Sequence, residues 1–316
     1  SSFHRSLKPR EIRHNLISLK NLALSPAQAR AILKDFPADL VVGTGGYASY
    51  PVVRAAAKQG IPTAIHESNA IPGLTTRLLE DHADLMMVGF EECRKNYKHP
   101  EKVLVTGTPV RGDFFACTRG EAKAKLGLDD GRPVIVSFWG SLGAAVMNRQ
   151  MAEFLALEAG DGVPFHHIHG AGTVGCRQMG TYLAQAGADL EKAPGLEVRE
   201  YIHDMGTLMR AADLVICRAG ASTISELTAL GVPAIIVPSP NVAGDHQTYN
   251  ARVLADAGGA VMIPEKDSSG RLLYDTARAI LTDDSRRRAM AQAMASLGTV
   301  GAAEKIYSAV MALRRR

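Results

Sequence analysis

Short apolar runs alternate with longer segments of helical periodicity along most of the chain. Strands that alternate with helices indicate βαβ units and parallel sheets. Runs that are apolar throughout, such as Ala234–Val237, are typical of strands covered on both faces. The pattern predicts helices over Pro26–Asp35, Leu142–Glu158 and Gln247–Ala257, and strands over Leu40–Val42, Thr63–His66, Leu85–Val88, Lys102–Thr106, Val134–Phe138, Phe165–His169, Leu196–Arg199, Leu214–Cys217, Ala234–Val237 and Ala260–Ile263.

The alternation is interrupted near Cys117–Pro133, where turn-forming residues flank one short helical pattern. It then restarts, so we predict an α/β protein with two Rossmann-like, doubly wound domains that face a cleft at the carboxyl ends of their strands. We assign residues 1–117 to the first domain and 118–300 to the second. We expect residues 301–316 to form a C-terminal helix that packs back on the first domain.

The first domain is short for its type. Only about four strands fit before the interruption, whereas such a domain usually has about six. We therefore expect the first domain to be incomplete and to lack its first strands. The segment from Ser285 to Arg316 is predicted to be helical, with a kink or a break at Gly298 and Gly301.

The composition is that of a globular protein, with 46% hydrophobic and 22% charged residues among 316. A net charge of +4 does not favour a nucleic-acid partner. Five basic residues and one acidic residue lie between Ser1 and Leu22, where apolar residues recur at helical spacing. This segment fits an anionic membrane surface and an ordinary surface helix equally well. The four cysteines are scattered, so no zinc or redox site is expected.

A glycine-rich turn follows the first predicted strand. Gly43, Gly45 and Gly46 stand between this strand and a helix, where glycines let backbone amides approach an anion. With Ala48, the turn also fits the G-x-G-x-x-[GA] dinucleotide fingerprint, and Glu67 lies where a ribose-binding acid would be. An NAD-dependent oxidoreductase is therefore one alternative, and a plain strand–helix turn is another.

Two similar turns lie in the second half of the chain. One is Trp139-Gly140-Ser141, and the other runs from Arg218 to Thr223. Together they could hold a diphosphate by backbone amides and hydroxyls without a metal. Thr223 and Glu226 have the spacing of a capping box, which favours a structural role for Glu226 when no other context is considered.

Candidate acid–base residues follow the second predicted strand. His66 and Glu67 form a pair suited to proton transfer, although a histidine at a strand end is more often structural. His166, His167 and His169 lie in one predicted strand, where neighbouring side chains point to opposite faces. We therefore do not predict a metal site there.

In order along the chain, these segments resemble the MurG family of bacterial N-acetylglucosaminyltransferases. The resemblance covers nearly the whole sequence and rests on VVGTGGYASYP, IHESNAIPGLTTRLL, VTGTPVR, GSLGAAVMN, YIHDM, ADLVICRAGASTISELTALGVPAIIVP and DHQTYNA. It implies a GT-B fold, a UDP-N-acetylglucosamine donor and no cofactor or metal.

The resemblance also implies roles for individual residues. Glu226 would hold the donor ribose, Ile202 would line the uracil pocket and Gln247 would contact the sugar. The donor diphosphate would bind Ser141 and the loop formed by Gly220, Ala221, Ser222 and Thr223. The acceptor and the cleft would involve Gly43, Gly45, Gly46, Asn69 and Arg111, and His66 and Glu67 are our candidate catalytic residues.

The sequence departs from the family pattern at three places. Trp139 replaces the first glycine of the usual GGS, and Ser68 replaces the glutamine of the usual HEQN. The family's first glycine-rich loop, whose histidine is a candidate base, has no counterpart in this sequence.

The implied activity is inverting transfer of N-acetylglucosamine to undecaprenyl-pyrophosphoryl-muramoyl-pentapeptide in peptidoglycan synthesis. The enzyme would lie peripherally on the cytoplasmic face of the plasma membrane. The alternatives are a non-catalytic UDP-sugar-binding fragment that needs the absent segment, a relative with another lipid acceptor, and the NAD-dependent oxidoreductase.

Overall fold

The structure is a computed structural model that describes residues 24–299 and 301–314. The chain divides into two compact units, one formed by residues 1–108 and 301–316 and the other by residues 109–300. Each described unit is built on a parallel sheet flanked by helices, so the prediction of an α/β protein with two parallel-sheet domains is confirmed. The basic segment before Leu22 lies outside the described residues.

The first unit contains a four-stranded parallel sheet in the order β1-β2-β3-β4. Its strands are β1 (Val41–Gly43), β2 (Thr63–Glu67), β3 (Leu85–Val88) and β4 (Val103–Val105). Its helices are α1 (residues 24–35), α2 (Gly46–Lys58), α3 (Leu74–Leu79) and, from the end of the chain, α12 (Ala302–Arg314), with 3₁₀ turns at Glu91–Asn96 and Pro100–Lys102.

Two small apolar clusters stabilise this unit. In one of them, Leu313 of α12 packs with Ala64 of β2 and Met87 of β3. The next residue, Arg314, forms an ion pair with Asp39 at 2.8 Å. Helix α12 therefore belongs to the first unit although it ends the chain, because its apolar stripe is buried on that sheet.

The second unit contains a six-stranded parallel sheet in the order β10-β9-β8-β5-β6-β7. Its strands are β5 (Val134–Phe138), β6 (His166–Gly170), β7 (Leu196–Arg199), β8 (Leu214–Cys217), β9 (Ala234–Ile236) and β10 (Ala260–Met262). Its helices are α4 (Arg119–Leu126), α5 (Ala145–Gly160), α6 (Cys176–Ala186), α7 (Met205–Ala211), α8 (Ala221–Leu230), α9 (His246–Asp256), α10 (Gly270–Leu281) and α11 (Asp284–Ser296), and its 3₁₀ turns are Gly112–Phe115, Leu190–Lys192, Ala243–Asp245 and Glu265–Asp267.

The strand order reverses direction between β5 and β8. Strands β5, β6 and β7 follow one another toward one edge, and the chain then returns to place β8 on the other side of β5. Loops that leave neighbouring strands at such a point diverge and open a crevice at their carboxyl ends. The sheet topology therefore places a ligand-binding crevice between the loops that follow β5 and β8.

The core of the second unit lies between its sheet and helices α5 and α10. Phe154 of α5 is fully buried and contacts Tyr274 of α10 edge to face, with ring centroids 5.4 Å apart. Ile135 of β5 and Ile216 of β8 pack in the same cluster. Burial of this apolar surface fixes α5 and therefore the loop that enters it.

Asp213 ties three elements of the second unit together. Its carboxylate, 5% exposed, accepts a hydrogen bond from the Val134 amide at 2.9 Å and contacts Lys123 of α4 at 2.7 Å. Arg119 of α4 and Arg287 of α11 lie 2.5 and 3.5 Å away. A carboxylate taken out of water needs such partners, so this cluster is a structural anchor for α4 and α11.

We expect Asp213→Ala to lower the free energy of unfolding of the second unit by about 3 kcal/mol, because it leaves partly buried cations without their counter-ion. Urea unfolding of the full chain measures this change. Asp275→Ala removes one partner of an exposed ion pair with Arg271 and should leave the unfolding midpoint almost unchanged. Equal midpoints for the two variants would contradict the anchor role.

Candidate active site

Two adjoining cavities open at the carboxyl ends of β5 and β8 in the second unit. The first has a volume of about 300 Å³. Its walls come from the ends of β5 and β6, the start of α7 and the side of α8. It is lined by Arg111, Phe114, Phe138, Gly140, Ser141, Gly170, Gly172, Glu200, Tyr201, Ile202, His203, Met205 and Glu226.

The second cavity has a volume of about 520 Å³ and shares Phe138 and Gly140 with the first. It lies between the starts of α5, α8 and α9. Its lining includes Trp139, Gly143, Arg218, Gly220, Thr223, Ser239, Asn241, Gln247 and Glu265. The two cavities therefore meet at the end of β5, which forms part of the wall of both.

The loops after β5 and β6 touch backbone to backbone. A Cβ atom at Gly143 would lie 2.1 Å from the Ala171 carbonyl oxygen, and one at Gly172 would lie 2.2 Å from the Gly143 nitrogen. Both glycines have positive φ angles, of 75° and 81°. The Ser141 carbonyl also accepts a hydrogen bond from the Thr173 amide at 3.2 Å. Only glycine allows this approach, so these residues fix the rim of the first cavity.

Helices α5 and α8 begin beside these cavities without side-chain caps. Their N-caps are Ala144 and Gly220, and neither helix has an acidic residue in its first turn. By contrast, Thr118, Ser269 and Asp283 cap helices α4, α10 and α11 with their side chains. The first-turn amides of α5 and α8 are thus available to an anionic ligand.

Glu226 projects from α8 into the first cavity. The capping-box interpretation is wrong, because Gly220 is the N-cap and Glu226 lies in the second turn of the helix. Within the described residues, Glu226 makes no hydrogen bond or ion pair. Burial raises its pKa to about 7; the charge of Arg111 opposes this rise and that of Asp113 adds to it. A half-buried carboxyl without a protein partner is suited to bind a ligand's hydroxyl groups.

Gln247 joins two loops of the second cavity. Its Oε1 accepts hydrogen bonds from the amides of Ala219, at 3.2 Å, and Ser239, at 2.9 Å. These two backbone donors orient the side-chain amide of Gln247. Its Nε2 group faces away from both loops, and neither donor uses its two hydrogens. The side chain is therefore positioned by its oxygen and can donate to a ligand from its nitrogen.

The Trp139 ring packs into the core. It is 4% exposed and belongs to the main apolar cluster of the second unit. Arg218 lies over its face, with the guanidinium carbon 5.8 Å from the ring centroid, and pairs with Glu265. The large side chain at this position therefore supports the cavity wall and leaves most of the cavity open.

His66 and Glu67 have structural partners in the first unit. His66 Nε2 lies 2.9 Å from the Gly107 carbonyl oxygen, and Nδ1 lies 3.4 Å from the Ser68 hydroxyl. Glu67 accepts four hydrogen bonds, from the Asn69 amide and side chain, the Gly73 amide and the Thr76 hydroxyl. The catalytic role of this pair stays a prediction, and these contacts favour a role in shaping the loop.

The same contacts argue against a dinucleotide fingerprint. Gly45 and Gly46 have positive φ angles of 84° and 73° at the start of α2, as a tight turn requires. Glu67 does follow at the end of β2, but its oxygens are already filled by the loop that contains Asn69. It cannot then accept hydrogen bonds from a ribose without losing the loop.

The structure groups the other predicted residues in two sets. Ser141, Ile202 and Glu226 line the first cavity, and Gly220, Thr223 and Gln247 line the second, while Ala221 and Ser222 form the first turn of α8.

Arg111, which we assigned to the acceptor side and the first domain, belongs to the second unit and lines the first cavity with Glu226. The unit boundary falls before Pro109, whereas the sequence analysis places it after Cys117.

Sequence analysis missed several residues of this site. Gly170 allows Ile202 to lie against the end of β6, because a Cβ there would be 3.1 Å from the Ile202 Cδ1 atom. Gly172 and Asn148 were missed because their roles depend on contacts between loops distant in sequence. The Gly170-Ala171-Gly172 run, which begins at the last residue of β6, was the one available signal.

Two family models match the chain. The glycosyltransferase family 28 C-terminal domain matches residues 134–306, and the N-terminal domain of the same family matches residues 4–88. The chain is also 40% identical over 295 residues to the UDP-N-acetylglucosamine--N-acetylmuramyl-(pentapeptide) pyrophosphoryl-undecaprenol N-acetylglucosamine transferase of Acetivibrio thermocellus. That match covers 93% of this chain and 78% of the relative. The chain belongs to the MurG family of glycosyltransferases.

Other MurG-family proteins give the same result. The enzyme of the same name from Desulforudis audaxviator is 40% identical, with 94% of this chain and 79% of the relative covered. The crystal structure of Acinetobacter baumannii MurG aligns with a TM-score of 0.72 at 27% identity, over 91% of this chain and 77% of that one. The expected GT-B class and hexosyltransferase family are therefore confirmed.

The raised pKa of Glu226 in this MurG-family chain predicts a pH effect on stability. The carboxyl titrates near its usual 4.5 when unfolded and near 7 when folded. Stability should therefore fall as pH rises from about 4.5 to about 7, because only the unfolded chain releases this proton. Glu226→Gln should show a shallower fall in thermal unfolding temperature over this range.

Glu197→Gln is the matched control, since Glu197 is an exposed carboxylate paired with Arg199. It should keep the wild-type slope. If Glu226→Gln and wild type show the same pH dependence, Glu226 does not hold its proton in the folded state.

Proposed function

We propose that this chain is the inverting transferase that moves N-acetylglucosamine from UDP-N-acetylglucosamine to a lipid-linked muramoyl-pentapeptide. The names of the relatives that it matches over most of its length support this reaction. The observation that most supports it is the Glu226 carboxyl, which has no hydrogen-bond or ion-pair partner among the described residues. It lies in the first cavity, and the adjoining second cavity is lined by the starts of α5 and α8, which have no side-chain caps.

In this proposal the uridine occupies the first cavity. Ile202, 5% exposed, provides an apolar wall for the uracil ring. Glu226 accepts hydrogen bonds from the ribose hydroxyls, a charge-assisted interaction that requires its ionised form. The volume of about 300 Å³ is at the lower end for a ligand pocket, as suits part of a larger nucleotide sugar.

The diphosphate lies where the two cavities meet. The amides at the starts of α5 and α8 and the hydroxyls of Ser141, Ser222 and Thr223 provide donors on its two sides. These groups stabilise the charge that grows on UDP as it leaves, because their dipoles already point toward it. Among the described residues there is no cluster of three or more side chains that could hold a metal ion.

The sugar lies in the second cavity, where Gln247 can donate from Nε2. Nucleophilic attack by the C4 hydroxyl of the muramoyl sugar on the anomeric carbon inverts its configuration, and a base takes the hydroxyl proton. We propose that Gly43, Gly45, Gly46, Asn69 and Arg111 contact the acceptor or its pyrophosphate. Among the residues that the structure describes, His66 and Glu67 remain the candidate acid–base pair.

We further propose that the first unit binds the cytoplasmic face of the plasma membrane through an anionic lipid surface. Helix α3 supports this, since Leu74 and Leu78 are 65% and 51% exposed and Arg77 lies between them. Exposed apolar side chains beside a cation fit a lipid headgroup region. None of the helices in the described part of the chain has the length and apolar character needed to cross a bilayer.

A transfer assay with radiolabelled UDP-N-acetylglucosamine and a short-chain lipid-linked muramoyl-pentapeptide tests the proposal. Wild type should form the disaccharide product. Glu226→Ala should lower kcat/KM for the donor by about ten- to a hundredfold, since it removes hydrogen bonds worth about 1.5–3 kcal/mol. Glu197→Ala, an exposed carboxylate on β7, is the control and should match wild type.

Equal activity of Glu226→Ala and wild type would contradict the placement of the ribose. Release of UDP without product would favour the alternative of a UDP-sugar-binding chain that does not complete transfer. If a folded wild-type protein formed no product and released no UDP, the proposed function would be overturned.

A further inference from the structure

Five polar side chains form a continuous hydrogen-bonded chain inside the second unit. All of them are fully buried. At its centre, Ser137 Oγ lies 2.8 Å from both His167 Nε2 and His169 Nδ1. Each histidine then contacts α5: His167 Nδ1 lies 2.8 Å from Glu158 Oε2, and His169 Nε2 lies 3.2 Å from Asn148 Oδ1. A buried network of this length is costly unless every link is satisfied.

The chain ends on the loops of the candidate active site. Asn148 Nδ2 donates to the Ala171 carbonyl at 2.8 Å. This is the carbonyl that Gly143 approaches so closely, and a Cβ at Gly175 would lie 2.0 Å from the same Nδ2. Asn148 therefore lies directly beneath the contact between the loops after β5 and β6.

The Ala171 carbonyl sets the direction of the hydrogen bonds. A carbonyl can only accept, so the Asn148 nitrogen faces it and the Asn148 oxygen must accept from His169 Nε2. Burial lowers the pKa of His169 to about 3, so this ring is neutral and carries its proton on Nε2. Its Nδ1 then accepts from the Ser137 hydroxyl.

The same logic continues to Glu158. The Ser137 hydroxyl donates its one hydrogen bond to His169, so its oxygen accepts a hydrogen bond from His167 Nε2, which must carry a proton. His167 Nδ1 and Glu158 Oε2 then need one proton between them to form their 2.8 Å bond. The other carboxyl oxygen, Glu158 Oε1, has no hydrogen-bond partner within the described part of the chain. His167 is therefore the one hydrogen-bond partner of the Glu158 side chain there.

We propose that Glu158, His167, Ser137, His169 and Asn148 form a directional hydrogen-bond chain that positions the two glycine loops for the donor diphosphate. The positioning residue is Asn148, in the first turn of α5, and Glu158, near the other end of the same helix, orients the chain. The ligand named here rests on the proposed function. The loop positioning itself does not, because it is a property of the free protein.

The pair Glu158→Gln and Glu158→Ala separates this role from simple core filling. A glutamine amide can donate to His167 Nδ1, which keeps the proton on His167 Nε2 and the direction of every later bond, whereas alanine leaves His167 without that partner. Asn148→Leu removes the final link with little change of size. Ile280→Ala, in the same unit but outside the chain, is the control for general loss of core packing.

Two measurements on the full chain decide the proposal: amide hydrogen exchange of segments 139–144 and 171–175 in the free protein, and UDP affinity by calorimetry. Asn148→Leu and Glu158→Ala should speed loop exchange and weaken UDP binding by about tenfold or more, because small displacements of positioning groups are expensive. Glu158→Gln should stay within about twofold of wild type. Ile280→Ala should lower the unfolding temperature without selective change in either loop.

Equal loop exchange in Glu158→Ala and Glu158→Gln would overturn the proposal, as would unchanged loops in Asn148→Leu. A wild-type chain that does not bind UDP would contradict the proposed function instead. The loop-exchange comparison would still decide the positioning role in that case.

Discussion

The candidate site depends on one steric constraint, the contact between the backbones of the loops after β5 and β6. With the Ala171 carbonyl 2.1 Å from the Cβ position of Gly143, any side chain there would push the loops apart. The contact sets the entry of α5 and therefore the direction of its first-turn amides. It also closes one side of the first cavity, so the proposed uridine pocket and the proposed diphosphate site at the start of α5 depend on the same contact.

The electrostatics of the site follow from what these loops leave unpaired. Helices α4, α10 and α11 are capped by threonine, serine or aspartate side chains, whereas α5 and α8 begin at Ala144 and Gly220 without a side-chain cap. Their partial positive charge is therefore directed at the crevice between β5 and β8. Glu226 has lost part of its hydration without gaining a partner in the described chain, which is unfavourable in the free protein and makes it available to ligand hydroxyls.

Much of the fold could be predicted from the sequence because parallel strands buried on both faces leave a strong apolar signal. All ten predicted strands are present, and the break in the final helical segment falls between Ser296 and Ala302, at the two predicted glycines. The predicted capping box at Thr223 and Glu226 is wrong because both residues lie inside α8, whose N-cap is Gly220, and so their spacing does not mark the start of the helix. Arg111 lies in the second unit and not in the predicted first domain, because domain boundaries depend on packing. The hydrogen-bond chain that includes Asn148 was missed because it joins residues distant in sequence.

If the proposed function is correct, the second unit binds uridine diphosphate across its two cavities. A crystal structure of the full chain with UDP tests this most directly. We expect the uracil to lie against Ile202, the ribose hydroxyls to lie within hydrogen-bond distance of Glu226, and the phosphates to lie at the starts of α5 and α8. A nucleotide bound at the glycine turn of Gly43–Gly46 instead, with both cavities empty at saturating UDP, would contradict it.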